Sequence, residues 1–583
     1  MKKISKITCA FMALCLALSS LAACGGPSDD PYFSEVEINE SQTQLYVYSY
    51  NGGYGQKWLS DVIERFQEKY ATYEGVNGKV GVQVVPDWYS KTLGTSFFQN
   101  MGNNEIYFTE EVFYYNFVSS DKILDLTTAL TTPLTEFNET KSVFDKLTPA
   151  EQEFYLTDDN KMYAVPYRFD TEGIVYDVEL FDTESLYFAK GGVPSEFSTF
   201  VQTNNQNKAS GSFEKELKFE NCNFTNLNGA RSAGPDGLYG TDDDGLPATY
   251  DEFFVLCDKM LNKGITPFNW SGNARVGYLH HLYQQLIVDY EGAEGFETYM
   301  TYDGVANNLI KSIDQNGNVV FEEPVNVSYE AGNGHLMSKS AGRYYALSFL
   351  ERLIKNANYY GKKAFNGNYM HTLAQEDYLE SKYEKTRYAF FIDGIWWENE
   401  ASDTFKEMGD IEESDSRLNR KFKLMQLPKA TTNDIGEVAT YANNMHSLCF
   451  VNSKIAREKV ELANAFVRFC FSDESNINFN LLTGCPRAMG YTLDENQRKQ
   501  LSMFGNHIYD ITRTSAVAFA YANHDIYKRY CNSTTAKLTW GGSLKMSETS
   551  IADSFKYSDD TAYSIFNASK DALQKDVGSY FGK

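Results

Sequence analysis

The most chemically distinctive stretch of the chain is Gly234-Pro235-Asp236-Gly237-Leu238-Tyr239-Gly240-Thr241-Asp242-Asp243-Asp244-Gly245. Carboxylates set among glycines, here Asp236, Asp242, Asp243 and Asp244, either wrap a hard cation such as calcium through oxygen ligands or form a solvated acidic turn. The stretch departs from an EF-hand loop, because Gly240 stands at the first-ligand position and the closing glutamate is absent. No cofactor is required by the sequence, and a structural calcium ion is the one cofactor it raises. Elsewhere, groups suited to holding a ligand fall on loops and strand ends. Trp270 lies in the polar loop Asn269-Trp270-Ser271-Gly272-Asn273, where an indole points to contact more readily than one inside a helix. Tyr50, Asn51 and Tyr54 flank a glycine turn, and Asp87, Trp88 and Glu110 close later strands. For each of these, ligand contact competes with ordinary turn and capping chemistry. Catalytic signatures do not appear: there is no HExxH, no GxSxG, and no CxxC or Cys/His spacing for zinc.

The elements that must hold these groups alternate. Leu45–Tyr50 reads as a strand, Asn51-Gly52-Gly53-Tyr54-Gly55 breaks it, and Trp58, Leu59, Val62, Ile63 and Phe66 mark one face of a helix over about Gln56–Tyr70. Val80–Val85 is a second strand ending at Pro86, and an apolar stretch follows near Glu105–Phe108. Strand, glycine turn, helix, strand is the pattern of a parallel α/β sheet, whose ligands sit beyond the carboxyl ends of the strands. That places Tyr50 to Tyr54, Asp87, Trp88 and Glu110 near one rim. Residues 191–245 read as an irregular insertion, and helical patterns dominate from there to about Asn358. Tyr388–Ile392, Lys421–Leu427 and Ser447–Val451 are further strands, and Arg457–Phe471 is an amphipathic helix.

The chain opens with Lys2, Lys3 and Lys6, an apolar run from Ile7 to Leu18, and Leu21-Ala22-Ala23-Cys24. This is the pattern of a secretory signal over residues 1–23, too short in its apolar part to span a membrane comfortably. Residues 24–42 are small, polar and acidic, and read as a flexible tether. No later segment reads as a membrane span. Removing residues 1–23 takes away three lysines and no acids, so the formal net charge of −25 becomes about −28. Such acidity argues against nucleic-acid or anionic-lipid partners, which repel it. With 41 Tyr, 40 Phe and 6 Trp, the chain is permissive for stacking on the apolar faces of sugar rings. Disulfides cannot be assigned among Cys222, Cys257, Cys449, Cys470, Cys485 and Cys531, and a body of some 540 residues exceeds one core, so two lobes are expected.

Five stretches in order resemble the family-1 extracellular solute-binding proteins, the group that includes maltose-binding protein. Leu21-Ala22-Ala23-Cys24 matches the bacterial lipobox. Lys161-Met162-Tyr163-Ala164-Val165-Pro166 with Gly173-Ile174-Val175-Tyr176-Asp177 and Leu180-Phe181 is similar to the family's KYAVP…GIxYNxxLF segment. Leu246-Pro247-Ala248-Thr249-Tyr250-Asp251-Glu252, Ala389–Trp396, and Val451-Asn452-Ser453-Lys454 before the Arg457–Phe471 helix complete the set.

The resemblance implies an α/β, two-lobed, type II periplasmic-binding-protein-like fold with crossover hinge strands and a central cleft. Lobe 1 would comprise residues 43–168 and 444–505, and lobe 2 residues 169–443 and 506–583. Crossovers are expected near Tyr167–Gly173, Thr440–Asn444 and Met503–Ile508. By the same resemblance Cys24 carries a lipid, holding the protein at the extracytoplasmic face of the membrane. Trp396 presents its indole to a sugar, and Trp397 points into the core. Asp393 either accepts two hydrogen bonds from vicinal hydroxyls or is a solvated turn residue. Arg168 and Asp170 either bind sugar or pair with each other in the hinge. Asn443, Asn444 and His446 would face the cleft from the second crossover.

The function implied is a monomeric, non-enzymatic binding protein that delivers carbohydrate, an oligosaccharide by its length and aromatic content, to the permease subunits of an ABC importer. Two alternatives share its features. One is a glycan-binding surface or sensor protein without transport. The other is a secreted glycoside hydrolase, which needs two carboxylates across one bond.

Overall fold

Along the chain, the strands that build the architecture are β1 (Thr43–Tyr50), β2 (Val82–Tyr89), β3 (Ile106–Thr109), β4 (Ala164–Pro166), β5 (Glu172–Asp177) and β6 (Thr266–Asn269). They continue with β7 (Tyr388–Gly394), β8 (Phe422–Leu424), β9 (Thr440–Asn443), β10 (Leu448–Val451) and β11 (Ala516–Phe519). A computed structural model describes residues 36–89, 102–110, 114–194, 217–313, 319–444, 447–522, 524–530 and 550–568.

The first lobe forms around β1, whose aromatic and branched residues suit a strand buried on both faces. It pairs in parallel with β2 and β3, and the sheet order is β2-β1-β3-β10-β4. Strand β10 comes from far along the chain and runs antiparallel to both β3 and β4. This interleaving makes each lobe from separate parts of the sequence. Helix α1 (Lys57–Lys69) buries Trp58, Leu59, Val62, Ile63 and Phe66, the face that the periodicity marks. Strand β2 does not stop at Pro86: it continues to Tyr89, with Pro86 opposite Val47. As the edge strand, β2 tolerates a residue with no N–H to donate.

The second lobe is built on the sheet β8-β5-β7-β6. Helix α2 (Tyr250–Asn262) starts where the Thr249 side chain accepts from the Glu252 N–H, an N-cap. Helix α3 (Arg275–Thr301) kinks at Gly292, whose φ of 69° is the left-handed conformation that glycine adopts freely. Helix α4 (Ala341–Lys355) packs along it. Strand β6 and short hairpin strands over Gly304–Val327 lie within a stretch whose pattern reads as helical. At four residues, β6 is too short to show a period of its own.

Two passages between the lobes fall at Tyr167–Thr171, between β4 and β5, and after β9, where the chain turns into β10. The third differs from expectation. Helix α5 (Met503–Thr514) is no crossover, because it lies on the second lobe against β8, with a His507 Nε2 contact of 2.8 Å to the Leu424 carbonyl. The crossing ends before Met503. Strand β11 then pairs with β9 in parallel. Residues Asp525–Tyr530 return to the first lobe, packing on Tyr114–Ser119, so residues 506–583 are not all second lobe. Lys528 Nζ pairs with Asp158 there at 2.6 Å.

One continuous apolar core runs through both lobes and the passages. Cys222, Cys257, Cys449, Cys470 and Cys485 are buried free thiols. Among the described residues, no helix is long and apolar enough to cross a membrane. Cys24 lies outside the described residues.

Candidate functional site

Strand β7 ends in Asp393-Gly394, and the chain turns so that Trp396 stands half-buried where the lobes meet. The indole folds back over Gly394, where a Cβ would lie 2.3 Å from Cη2. On its other side is Gly53, in the turn after β1, where a Cβ would lie 2.3 Å from Cδ1. One glycine from each lobe therefore lets the ring sit between them. Asn399, in the short helix after Trp396, donates from Nδ2 to the Gly53 carbonyl at 2.8 Å and ties the same turn to the second lobe.

Beneath the turn, Tyr54 is buried. Its hydroxyl lies 2.6 Å from Asp170 Oδ1 and 2.8 Å from the Phe169 carbonyl. The Arg168 guanidinium covers its ring at 4.5 Å, donates to Asp170 Oδ2 at 3.1 Å and pairs with Glu110. Tyr50, at the end of β1, reaches the same Glu110; burial, then Glu110, raise its hydroxyl far above the usual range.

On the second lobe, Gln375 donates from Nε2 to Asp393 Oδ2 at 3.2 Å and Glu400 Oε2 at 2.7 Å. Asp393 also accepts from the Gly394 N–H at 2.7 Å. Burial raises both carboxyls above the ordinary range, with Glu400 adding to the rise of Asp393 and Glu110 to that of Glu400. Tyr278, from the first turn of α3, lies beside Asp393 and Trp396. Burial, then Asp393 and Glu400, hold its hydroxyl well above the usual value. Further along α3, His281 Nδ1 is 2.5 Å from Glu172 Oε1; burial opposes charge on the ring, and Glu172 outweighs it.

Of the residues singled out in the sequence, Trp396, Tyr50 and Glu110 converge at the joint between lobes. Asn51 is half-buried in the adjoining turn. Tyr54, Arg168 and Asp170 come to the same place as buried struts rather than ligand contacts, and the hinge pairing of Arg168 with Asp170 is the alternative that the structure contains. Asp393 is neither a solvated turn residue nor an open sugar contact, because it is sealed and both oxygens have donors inside the lobe. Asn443 is a buried pin: Nδ2 donates to Glu151 at 3.2 Å and Oδ1 accepts from the Asp170 N–H at 3.3 Å. Asn444 is likewise buried and donates to Glu172 at 2.9 Å. His446 lies outside the described residues.

Trp270 is a correction. It is 0% exposed, packs on Tyr360 and Phe365, and donates from Nε1 to the Ala364 carbonyl at 2.8 Å. The polar character of its loop has another use: Asn269 and Ser271 hold the segment around Tyr369 to the end of β6. Asp87 is exposed and accepts from Asn104 at 2.7 Å. Trp88 pairs in register with Ser49 and so faces opposite to Tyr50. Neither joins the group at Trp396. Trp397 is buried among Phe391, Phe405, Phe422 and Phe504, as expected.

The carboxylates of the acidic loop have partners within the protein. Asp236 accepts from the Leu238 N–H, Asp243 from the Asp236 N–H and Thr241, and Asp244 from the Gly240 N–H. Asp242 turns to Lys423 at 3.2 Å and His507 at 3.5 Å, which hold its carboxyl well below the usual range. Asp236, Asp243 and Asp244 thus serve the loop itself, and among the described residues no three His, Cys, Asp or Glu side chains gather as a metal requires.

Sequence reading passed over Glu400, Gln375, Tyr278 and Asn399. A local signal existed for one of them: Glu400 is four residues beyond Trp396, on the same side of the helical turn that follows it. Gln375 and Tyr278 arrive from helices distant in sequence.

No protein-family model matches this chain. No curated protein matches its sequence. Solved structures do resemble it in shape. One described as a chitin oligosaccharide binding protein superposes with a TM-score of 0.52 at 11% identity, covering 92% of this chain and 100% of its own. The solute-binding protein RafE in complex with raffinose gives 0.52 at 13% identity, covering 92% and 100%. A probable secreted solute-binding lipoprotein from Streptomyces coelicolor gives 0.50 at 12% identity, covering 92% and 99%. At these identities the likeness is one of fold, and the fold of this chain is that of the two-lobed solute-binding proteins.

Proposed function

We propose that this protein binds a carbohydrate, an oligosaccharide, between its lobes and passes it to the permease subunits of an ABC importer, while anchored by lipid on Cys24 outside the cell membrane. It acts by binding and releases no product. The observation that carries the reading is Trp396: a half-open indole at the joint between lobes, set between Gly53 and Gly394, with Tyr54 beside it at 6.1 Å and Glu400 one turn further along. An indole offers a broad rigid face for the C–H side of a sugar ring, and carboxyl oxygens accept hydrogen bonds from its hydroxyls. The printed names of two similarly folded proteins, one for chitin oligosaccharides and one holding raffinose, agree with it.

The test is a thermal-shift screen of the mature chain against neutral and charged oligosaccharides, followed by analysis of the bound sugar. A ligand at 100 times its Kd stabilises the folded state by about 2.7 kcal/mol. A shift with intact sugar recovered, lost in Trp396→Ala, is expected. Shortened sugar products would favour hydrolysis. A Trp396→Ala variant that folds and binds as the parent does would remove the site.

A further inference from the structure

Arg487 lies in the segment after helix Asp473–Thr483, packed against α1 of the first lobe, and is 1% exposed. Two bonds tie this segment to the first crossover. Arg487 Nη1 donates to the Tyr167 carbonyl at 2.6 Å, and the Phe169 N–H donates to the Pro486 carbonyl at 3.3 Å. Three rings surround the guanidinium, its central carbon lying 4.0 Å from the centre of Phe479, 4.9 Å from that of Trp58 and 5.2 Å from that of Phe471. Aromatic faces attract a cation, but they leave the N–H groups at its edge unserved. Nε and Nη2 are buried with no acceptor among the described residues, carboxylates included. Burial lowers the Arg487 pKa to about 10, which leaves it charged at neutral pH. Cys470, Tyr491 and Cys449, the groups that most oppose this shift, supply no counter-charge, because burial keeps each of them protonated.

The shell around Arg487 extends onto the helix that carries Phe479. The Tyr491 hydroxyl accepts from the Arg487 backbone N–H at 3.3 Å and donates to Asn480 Oδ1 at 2.9 Å, while Asn480 Nδ2 is a buried donor with no acceptor among the described residues. Asn476 Oδ1, one turn earlier, is an unpartnered acceptor, which a water rather than an anion would serve.

We propose that Arg487 holds a small inorganic anion, chloride, at its Nε and Nη2 edge, and that this ion supplies the counter-charge of the first lobe beneath the crossover. A buried arginine without an anion is costly, and hydrogen bonds from a charged donor are strongest to a charged acceptor. A single-atom, singly charged ion suits the place better than phosphate or sulfate, whose several oxygens need more donors than this edge provides. Because Arg487 and Pro486 both hold the Tyr167–Phe169 passage, the ion steadies the hinge whatever ligand Trp396 meets.

The experiment uses the mature chain in sodium gluconate, an anion too large for a buried site, with chloride replacing gluconate stepwise at fixed pH and ionic strength. The thermal midpoint is expected to rise by about 2 °C or more and then level off as the site fills, whereas a salt acting on the surface as a whole gives no such plateau. Crystals grown in sodium bromide should show an anomalous peak within hydrogen-bonding reach of Arg487 Nε or Nη2. Arg487→Met should lose both the plateau and the peak. Equal midpoints in gluconate and chloride would overturn the proposal, as would density at that edge belonging to water alone or an Arg487→Met protein that keeps the chloride response. Should the variant fail to fold, the titration and the bromide crystals of the parent chain decide the matter by themselves.

Discussion

At the scale of single residues, the joint between the lobes depends on atoms that are missing. Trp396 fits where it does because Gly53 and Gly394 have no Cβ. A methyl group at Gly53 would lie 2.3, 2.5 and 2.9 Å from Cδ1, Cγ and Cβ of Trp396, well inside contact distance. The clash is with the neighbouring lobe and leaves the glycine's own sheet untouched. Gly53→Ala should therefore leave the circular dichroism of the protein unchanged while holding the lobes apart. Overpacking of this kind costs about 1–3 kcal/mol, which appears here as a roughly tenfold or greater loss of ligand affinity. Unchanged calorimetric affinity in the variant would mean that ring and turn do not meet in the bound state. The place of Trp396 was legible through the resemblance carried by Ala389–Trp396, and the structure sets its indole half-buried after the strand that ends in Asp393-Gly394. Trp270 was misjudged for a physical reason: the groups that seal it, Tyr360, Ala364 and Phe365, lie about ninety residues away, and no local pattern announces them.

At the scale of elements, the caps that start helices also tie the lobes together. Helix Pro149–Tyr155 begins with a capping box in which Thr148 and Glu151 serve each other's backbone N–H groups. Glu151 is buried and also accepts from Asn443 on β9, so it joins a first-lobe helix to a crossover strand. Burial pushes its carboxyl up to about 7, against an ordinary value of 4.5, and Glu252 and Glu398 are displaced likewise. A carboxyl raised in the folded state binds its proton more tightly there than in the unfolded chain. Its stabilising effect is complete below about pH 4.5 and is lost as pH rises through about 7. For Glu151 the displacement corresponds to about 3 kcal/mol. Urea denaturation should give a lower midpoint at pH 8 than at pH 5.5, and Glu151→Gln should flatten that dependence. A midpoint that rises with pH over this interval, or a variant with the parent's full slope, would count against it. The long periodic elements were legible in the sequence: α1 has its predicted face, and the strands at β1, β7, β8 and β10 fall where the apolar runs are. Strand β6 and the true end of the third crossing were not, because a short strand and an irregular passage are specified by contacts rather than by period.

At the scale of the whole molecule, the chain passes repeatedly between two lobes whose sheets are each assembled from distant segments. Across the joint, Trp396 rests against Gly53 and Asn399 donates one hydrogen bond to the Gly53 carbonyl. A single neutral hydrogen bond contributes about 1 kcal/mol net, too little by itself to hold two lobes of this size together. The hinge beneath is built differently: Tyr54, Arg168, Asp170, Asn443 and Glu151 form a buried, charged and hydrogen-bonded network through the crossovers. Such a network is rigid when satisfied, so motion belongs at the Gly53–Trp396 contact rather than in the hinge core. A sugar that touches both lobes adds the differential contact needed to shift the population toward closure. Small-angle scattering should therefore give a smaller radius of gyration with saturating oligosaccharide than without. In Asn399→Ala the free protein should scatter as the more open form and still compact when ligand is added. Tyr54→Phe, which removes a hydroxyl from the buried network and leaves Asp170 with one donor fewer, should instead lower thermal stability and change the compaction little. Identical scattering with and without ligand would mean that the lobes do not hinge, and that the sugar enters a cleft already fixed in this arrangement.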